Sequence, residues 1–235
     1  LLIQQICIKL LTGCERLFNH QQLNLIRLYK TPYLLRRLMP LYTWQRQVPD
    51  KKLYITFDDG PIPEVTPWVL EQLQEYGAKA TFFCVGENLV KYPEVARQAL
   101  AQGHVLANHT FHHLKGWQTN LEHYVQNTAM CQEVLEKLQP QGDKKKLFRP
   151  PYGRISKKQA ATLREEYELI MWDMLTNDYD ATLSPERCLQ KATKYTQSGS
   201  IIVFHDSLKA KRNMMYALPR FLEHFSRLGY AFDTL

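Results

Sequence analysis

Two adjacent carboxylates, Asp58 and Asp59, end the apolar-rich run of residues 53–57 and are followed at once by Gly60-Pro61. An ionised carboxylate is costly to take out of water without a partner, so this pair needs a metal, an arginine or solvent to meet it. Further along, the chain supplies His109-Thr110-Phe111-His112-His113, then Arg149, and near its end His205. His109 and His113 are four residues apart, so both imidazoles can face one ion. Asp59 as a third ligand completes a two-histidine, one-carboxylate set with a position left open for water. Such a metal lowers the pKa of water toward ~7 and polarises a carbonyl oxygen. Asp58 is then free to take a proton from the attacking water, with Arg149 positioning it through a charge-assisted contact. His205 titrates near neutral pH and suits protonation of a leaving nitrogen. A carboxylate beside it, Asp178, favours the imidazolium. His112, between the two ligands in sequence, is expected to point elsewhere, and Asp206, next to His205, to bond locally.

These side chains need a frame that brings distant strand ends together. From about residue 50 short apolar runs alternate with longer amphipathic stretches, the pattern of βα units and a parallel sheet. Strands are predicted at 53–57, 81–85, 105–107, 147–148, 169–172, 201–204 and, weakly, 230–232. Helices are predicted at 65–76, 93–101, 121–138, 157–167, 185–195 and 214–228. The chemistry-bearing residues follow directly after strands. In a (β/α) barrel that is the C-terminal mouth, where catalytic groups converge. A glycine-rich dinucleotide fingerprint and a phosphate-binding loop are both absent.

Composition narrows the partners. The chain has 235 residues, enough for one large domain, and a net charge of +7. Residues 1–52 hold nine Lys/Arg against Glu15 and Asp50, which accounts for the whole excess; the other 21 basic and 21 acidic residues cancel. The domain therefore lacks the basic stripe that nucleic-acid binding requires. Residues 1–49 read as a basic N-terminal extension and residues 50–235 as the catalytic domain. The stretch 23–44 mixes apolar residues with Arg27, Lys30, Arg36 and Arg37, so it either lies on an anionic membrane surface or packs against the barrel with its basic residues solvated. Leu11-Thr12-Gly13-Cys14 is similar to a lipoprotein cleavage box, but no convincing secretory signal precedes it. Both the bacterial cell envelope and the cytoplasm remain open as locations. Five cysteines, an odd number without CxxC spacing, argue against a disulfide framework or a cysteine-zinc site.

Five segments in order resemble the motifs of the polysaccharide deacetylases (the NodB-homology domain, carbohydrate esterase family 4). They are Thr56-Phe57-Asp58-Asp59-Gly60-Pro61, His109-Thr110-Phe111-His112-His113, Phe148-Arg149-Pro150-Pro151-Tyr152-Gly153, Trp172 through Asp178-Tyr179, and Ile201-Ile202-Val203-Phe204-His205. The resemblance runs from about residue 50 to the C-terminus. It implies a distorted (β/α)7 barrel and metal-dependent release of acetate from N-acetylated amino sugars. The metal is expected to be Zn2+, with Co2+ or Ni2+ as alternatives. The resemblance makes Asp58 the base, Asp59, His109 and His113 the ligands, Arg149 the residue that orients the base, His205 the acid and Asp178 its partner. It adds the backbone N–H of Tyr152 as an oxyanion donor and Val203 as the apolar wall around the acetyl methyl, with Pro151 and Tyr179 expected to face the sugar. The chain departs from the family pattern at Tyr179, where a tryptophan is usual, and at Leu175, where an acid is common. Two other readings are a deformylase or amidohydrolase acting on a lipid-linked N-acylated sugar, and an inert sugar-binding barrel. Binding alone, however, does not call for both a base and an acid.

Overall fold

The computed structural model describes residues 29–139 and 145–235. The lipobox-like Leu11-Thr12-Gly13-Cys14 and the first part of the 23–44 stretch lie outside the described residues. The strands are β1 (Lys52–Asp58), β2 (Ala80–Cys84), β3 (Val105–Asn108), β4 (Lys146–Phe148), β5 (Tyr167–Leu169), β6 (Met174–Leu175), β7 (Ile201–His205) and β8 (Ala231–Phe232). They form one sheet in the order β5-β4-β3-β2-β1-β7-β6, with β8 beside β1, and every pairing is parallel. The helices are α1 (Tyr33–Leu38), α2 (Thr66–Glu75), α3 (Gly86–Lys91), α4 (Pro93–Ala101), α5 (Leu121–Leu138), α6 (Lys157–Leu163), α7 (Pro185–Tyr195) and α8 (Lys211–Arg227). The result is a (β/α)7 barrel, distorted because the sheet path ends at β5 and β6 rather than closing on itself.

β1 shows why its sequence is an unbroken apolar run. Leu53, Ile55 and Phe57 point outward into the layer shared with Val69, Leu70 and Leu73 of α2 and Phe221 of α8. Phe57 stacks between Phe82 and Phe204, with ring centroids 5.0 and 6.0 Å away. Tyr54 points inward, among Phe83, Ala107 and Ile201. A parallel strand buried on both faces loses the polar half of its alternation. The register then sets Asp58 opposite Phe83 on one side and His205 on the other, so the ends of neighbouring strands deliver those groups to one mouth.

Two predicted boundaries move. The expected helix 157–167 stops at Leu163, because Tyr167 turns its ring into the core against Phe148, 5.8 Å away, and pairs with Lys146 as the start of β5. The expected strand 169–172 divides: Ile170 makes a single bridge, and the chain breaks before β6, at the buried Asp173. Helix α3 carries a single buried large side chain, Leu89, too little periodicity to be read from sequence.

The gap between β5 and β6 is filled by the segment that precedes β1. Lys30 bridges Met174, Thr43 bridges Ile170, and Gln45 bridges Ser200. The Leu175 N–H donates to the Tyr29 carbonyl at 2.8 Å, and the Thr31 N–H to the Asp173 carbonyl at 2.9 Å. The basic residues here are not simply solvated, contrary to expectation. The Asp173 carboxylate is fully buried and accepts from Lys30, from Arg36 at 3.3 Å and from the Ser200 hydroxyl. Arg46 grips Glu168 with both terminal nitrogens, at 2.6 and 3.1 Å. A buried carboxylate demands cationic partners, and this segment supplies them. Asp173→Ala leaves Lys30 and Arg36 uncompensated in the seam. We expect a stability loss of about 3–5 kcal/mol in urea unfolding, the range for removing one partner of a buried pair. A midpoint equal to the parent's would show that the seam is held by its backbone bridges alone.

Candidate active site

The acid pair splits by backbone geometry. Asp58 is the last residue of β1 and its side chain is 6% exposed. Asp59 turns out of the strand with a positive φ of 84°, and its carboxylate meets His113 Nε2 at 3.2 Å while that of Asp58 meets Arg149. The turn is held from β7: the Asp206 carboxylate accepts from the Gly60 N–H at 3.0 Å and the Thr66 hydroxyl at 2.6 Å. Asp206 thus does not bond locally, contrary to expectation, but ties down the turn after β1 from the far end of the chain. Burial pushes its pKa up, Thr66 draws it down and the Asp59 charge raises it again, to about 8. A Cβ on Gly60 would stand 1.9 Å from that carboxylate, so only glycine fits beneath the turn. Asn88 also donates to the Asp59 carbonyl, at 2.8 Å.

Arg149 follows β4 and is fully buried. Its Nη1 donates to Asp58 Oδ1 at 2.6 Å and to Thr56 Oγ1 at 2.8 Å. Nη2 donates to the Met171 carbonyl at 3.0 Å, and the guanidinium lies 4.0 Å over the Phe83 ring. Asp58 is therefore held in one orientation by a partner that cannot itself move.

His109 and His113 lie on a loop built to hold them. Thr110 and His113 both take positive φ, 65° and 53°, and α5 offers Asn127 to pin the loop. Asn127 Oδ1 accepts from the Phe111 and His112 N–H groups at 2.9 and 3.0 Å, and its amide meets His112 Nδ1 at 2.7 Å. His112 accordingly points away from the ligand pair. Asn108 fixes the loop's start by accepting from the Thr110 N–H at 2.9 Å. Asn108 is marked in the sequence by its place directly after a predicted strand, whereas Asn127 belongs to none of the motifs. The signal for Asn127 was an amide on the buried stripe of α5, beside Tyr124, Thr128 and Cys131.

The three candidate ligands fit a divalent cation. One ligand atom from each of Asp59, His109 and His113 can be chosen so that all lie within 4.8 Å of one another. Burial is the main cause that lowers the His109 pKa to about 4, so its imidazole is neutral at pH 7. With the Arg149 carbonyl 2.7 Å from Nδ1, the ring proton must sit there, and the Nε2 lone pair faces Asp59. Such a fixed tautomer is what a metal-ligating histidine needs. Burial works to raise Asp59, but the hydrogen bond with His113 and the charge of His205 outweigh it and hold Asp59 well below the usual carboxylate range. The set thus offers one anion and imidazole lone pairs, a donor set suited to zinc and its neighbours.

On the neighbouring strand, His205 ends β7, in register with Asp58. Its Nδ1 lies 2.7 Å from Asp178 Oδ1, and its own N–H donates to Asp178 Oδ2 at 2.8 Å. Burial depresses its pKa, but the charge and hydrogen bond of Asp178 outweigh that, with help from Asp59 and Asp58, and raise it to about 9. Asp178 is itself held: Asn213 of α8 donates to its carbonyl at 3.0 Å. Tyr179 packs edge-on against His205, with centroids 4.9 Å apart.

The third motif makes a tight turn at Pro151–Gly153, in which Tyr152 takes a φ of 61°. Among the described residues the Tyr152 N–H donates to no backbone acceptor, which leaves it available to an incoming oxygen. The Tyr152 ring is half exposed and lies 4.7 Å from that of His113. Pro151 is buried, so it shapes the turn rather than offering surface to a ligand. Val203 has no accessible surface and sits two residues below His205 on the inner side of β7, as a layer under the site. Trp172 packs its ring against Gly153 and with the Leu35, Trp44 and Met171 cluster.

A family model described as polysaccharide deacetylase matches residues 45–168. A peptidoglycan-N-acetylglucosamine deacetylase of Bacillus cereus is 32% identical over 195 residues, spanning 82% of this chain and 90% of that protein. A chitooligosaccharide deacetylase of Azorhizobium caulinodans is 36% identical over 156 residues, 66% of this chain and 73% of that one. The crystal structure of the Bc1960 peptidoglycan N-acetylglucosamine deacetylase superposes with a TM-score of 0.78 at 28% identity, covering 87% of this chain and 95% of that chain.

Proposed function

The chain belongs to the polysaccharide deacetylase family, enzymes that hydrolyse N-acetyl groups on glycans, and from that premise we propose the roles of its residues and its substrate. Asp59, His109 and His113 hold the metal, which we assign as Zn2+, with Co2+ or Ni2+ able to substitute. When bound, such an ion polarises the acyl carbonyl and makes water a better nucleophile. Asp58 accepts the proton of the attacking water as the new C–O bond forms. Arg149 keeps Asp58 aimed and compensates its charge. The Tyr152 N–H faces the oxygen on which negative charge develops, a donor of a kind worth about 3 kcal/mol of barrier. His205 gives its Nε2 proton to the sugar nitrogen as the C–N bond breaks, so acetate and a free amine leave. Asp178 keeps the imidazolium formed for that step. The observation that carries this reading is the pair of groups at the ends of adjacent strands, a carboxylate clamped by a buried arginine and a histidine held by a carboxylate. An inert sugar-binding barrel would have no use for them.

The substrate we infer is a peptidoglycan-type or chitin-type glycan bearing N-acetylglucosamine, because relatives named for peptidoglycan match over most of this chain and one named for chitooligosaccharides matches over two thirds of it. The wild-type protein should release acetate, and not formate, from N-acetylglucosamine oligomers and peptidoglycan fragments. Asp58→Asn should cut kcat by about 10²–10⁴-fold, the size of a general-base contribution, while its metal content stays at the wild-type level. Loss of the metal as well would mean that the two acids have been assigned the wrong way round.

A pH profile separates the acid from the rest. His205 must be protonated to act, so activity is present below its pKa and is lost as pH rises through it. A cation that neutralises Asp59 removes part of what raises His205, so the alkaline limb of the loaded enzyme should lie below about 9. Asp178→Asn should move that limb down by about one unit or more, since one unit corresponds to ~1.4 kcal/mol of lost stabilisation of the imidazolium. An unmoved limb would remove His205 from the acid's role.

We also propose that the segment before the barrel rests on an anionic membrane. Tyr33, Leu34, Leu38 and Leu41 are 49 to 69% exposed beside the exposed Arg37, an apolar face with a cationic neighbour. No helix among the described residues is long and apolar enough to cross a bilayer. The protein should co-sediment with phosphatidylglycerol vesicles, and Leu34→Glu with Leu38→Glu should release it. Equal binding by parent and variant would rule the face out.

A further inference from the structure

We propose that Trp117 and Tyr152 form an aromatic step beside the metal site on which a second sugar ring of the glycan stacks, so that Trp117 makes the enzyme prefer oligosaccharides to short substrates. The inference rests on the deacetylase reading above. It starts from a line of rings leading away from a candidate metal ligand. The Tyr152 ring lies 4.7 Å from that of His113, and the Trp117 indole meets Tyr152 edge-on, with centroids 5.5 Å apart and planes at 81°. Beyond it, the Arg154 guanidinium sits 4.3 Å over the indole.

Neither aromatic does core work. Among the described residues, Trp117 and Tyr152 belong to none of the apolar clusters, and Tyr152 is 50% exposed. The turn that carries Trp117 is nevertheless firmly built. The Gln159 amide, buried beneath it, donates to the Gly116 and Thr119 carbonyls, both at 2.9 Å. Its other end accepts from the Ser156 N–H at 2.9 Å. The turn lies so close to its support that a Cβ on Gly116 would stand 2.9 Å from the Arg154 carbonyl. A rigid turn that presents large, partly exposed rings is the composition of a recognition surface rather than of a solvent-facing loop.

The geometry also names the ligand class. The acetamido group being cleaved has to reach His113 and its partners, so the next sugar of a linear glycan extends past Tyr152. A pyranose has flat C–H faces that pack on the electron-rich faces of aromatic rings. Its rim of hydroxyls suits a charged donor such as Arg154. A monosaccharide has no second ring to place there.

The test is a chain-length series of N-acetylglucosamine oligomers, from dimer to hexamer, with the metal-loaded enzyme. Trp117→Ala should raise KM for the longer oligomers by about ten-fold, the loss expected for one stacked aromatic contact, with kcat within about two-fold of the parent. The advantage of the hexamer over the dimer should shrink by the same factor, and Trp117→Phe should restore most of it. Equal losses at every length, or a fall in kcat together with Tm, would mean that Trp117 only supports the turn and would overturn the proposal. So would an unchanged chain-length profile. If the parent releases no acetate from any of these sugars, the deacetylase reading fails, but the step can still be judged by calorimetry of pentamer binding to the parent and to Trp117→Ala. Weaker binding by the variant would support the step, and equal binding would refute it.

Discussion

Arg149 is the contact on which both halves of the site depend. Its guanidinium, without any accessible surface, ties Asp58 and Thr56 of β1 to the Met171 carbonyl beyond β5 and lies on Phe83 of β2. Its carbonyl meets His109 Nδ1. One residue thus orients the candidate base with its side chain and a candidate ligand with its backbone. The burial is costly for an arginine. It is tolerated because the planar fork finds several partners at once and Asp58 supplies the countercharge. Removing either member of such a pair strands the other in a dry interior, so the chemistry and the stability of the mouth cannot be altered independently.

Two histidines in one cleft show how environment divides labour between identical side chains. His109 and His205 are both largely buried, and burial pushes both toward the neutral form. At His109 that push prevails, and its one strong ring contact is a carbonyl, which fixes a tautomer without adding charge. At His205 the push is reversed by the carboxylate of Asp178, a residue whose backbone carbonyl is tied by Asn213. A neutral imidazole with an aimed lone pair suits a cation, while a protonated one suits a leaving amine. The difference lies in the partner's charge rather than in the histidine.

Much of this was legible before any coordinates, for a definite reason. A parallel barrel puts catalytic groups directly after strands, so Asp58, His109, Arg149 and His205 are marked by position as well as by type. The parts that escaped are those whose partners are far away in the chain. Asp173 gives no local sign that Lys30 and Arg36 will reach it across the open seam. The strand expected at 169–172 is interrupted just before Asp173, whose buried carboxylate meets those cations. Asn127 lies in a helix whose apolar stripe was clear, and its amide was read past although it holds the loop of His109 and His113. Local pattern carries the type and period of an element. It does not carry the long-range polar contacts that decide where the element stops.

The loops around the mouth follow a different rule from the groups at its floor. Asp58, Arg149 and His205 end strands or directly follow them, where the register of the sheet leaves little freedom. Trp117, Tyr152 and Tyr179 sit on turns whose shapes come from local devices: the double donation from Gln159, the left-handed Tyr152, and the Asn177 at φ 57° two residues before Tyr179. Turns of this kind change without disturbing the sheet. The floor can therefore keep one reaction while the rim changes which glycan reaches it. This chain's departures from the family pattern fall on both sides of that divide: Tyr179 sits on a turn and flanks His205, while Leu175 belongs to β6 and lies beside Val203 in the layer beneath. A change at Leu175 therefore reaches the site only through the packing of β6 on β7, whereas a change at Tyr179 acts directly on the ring of His205.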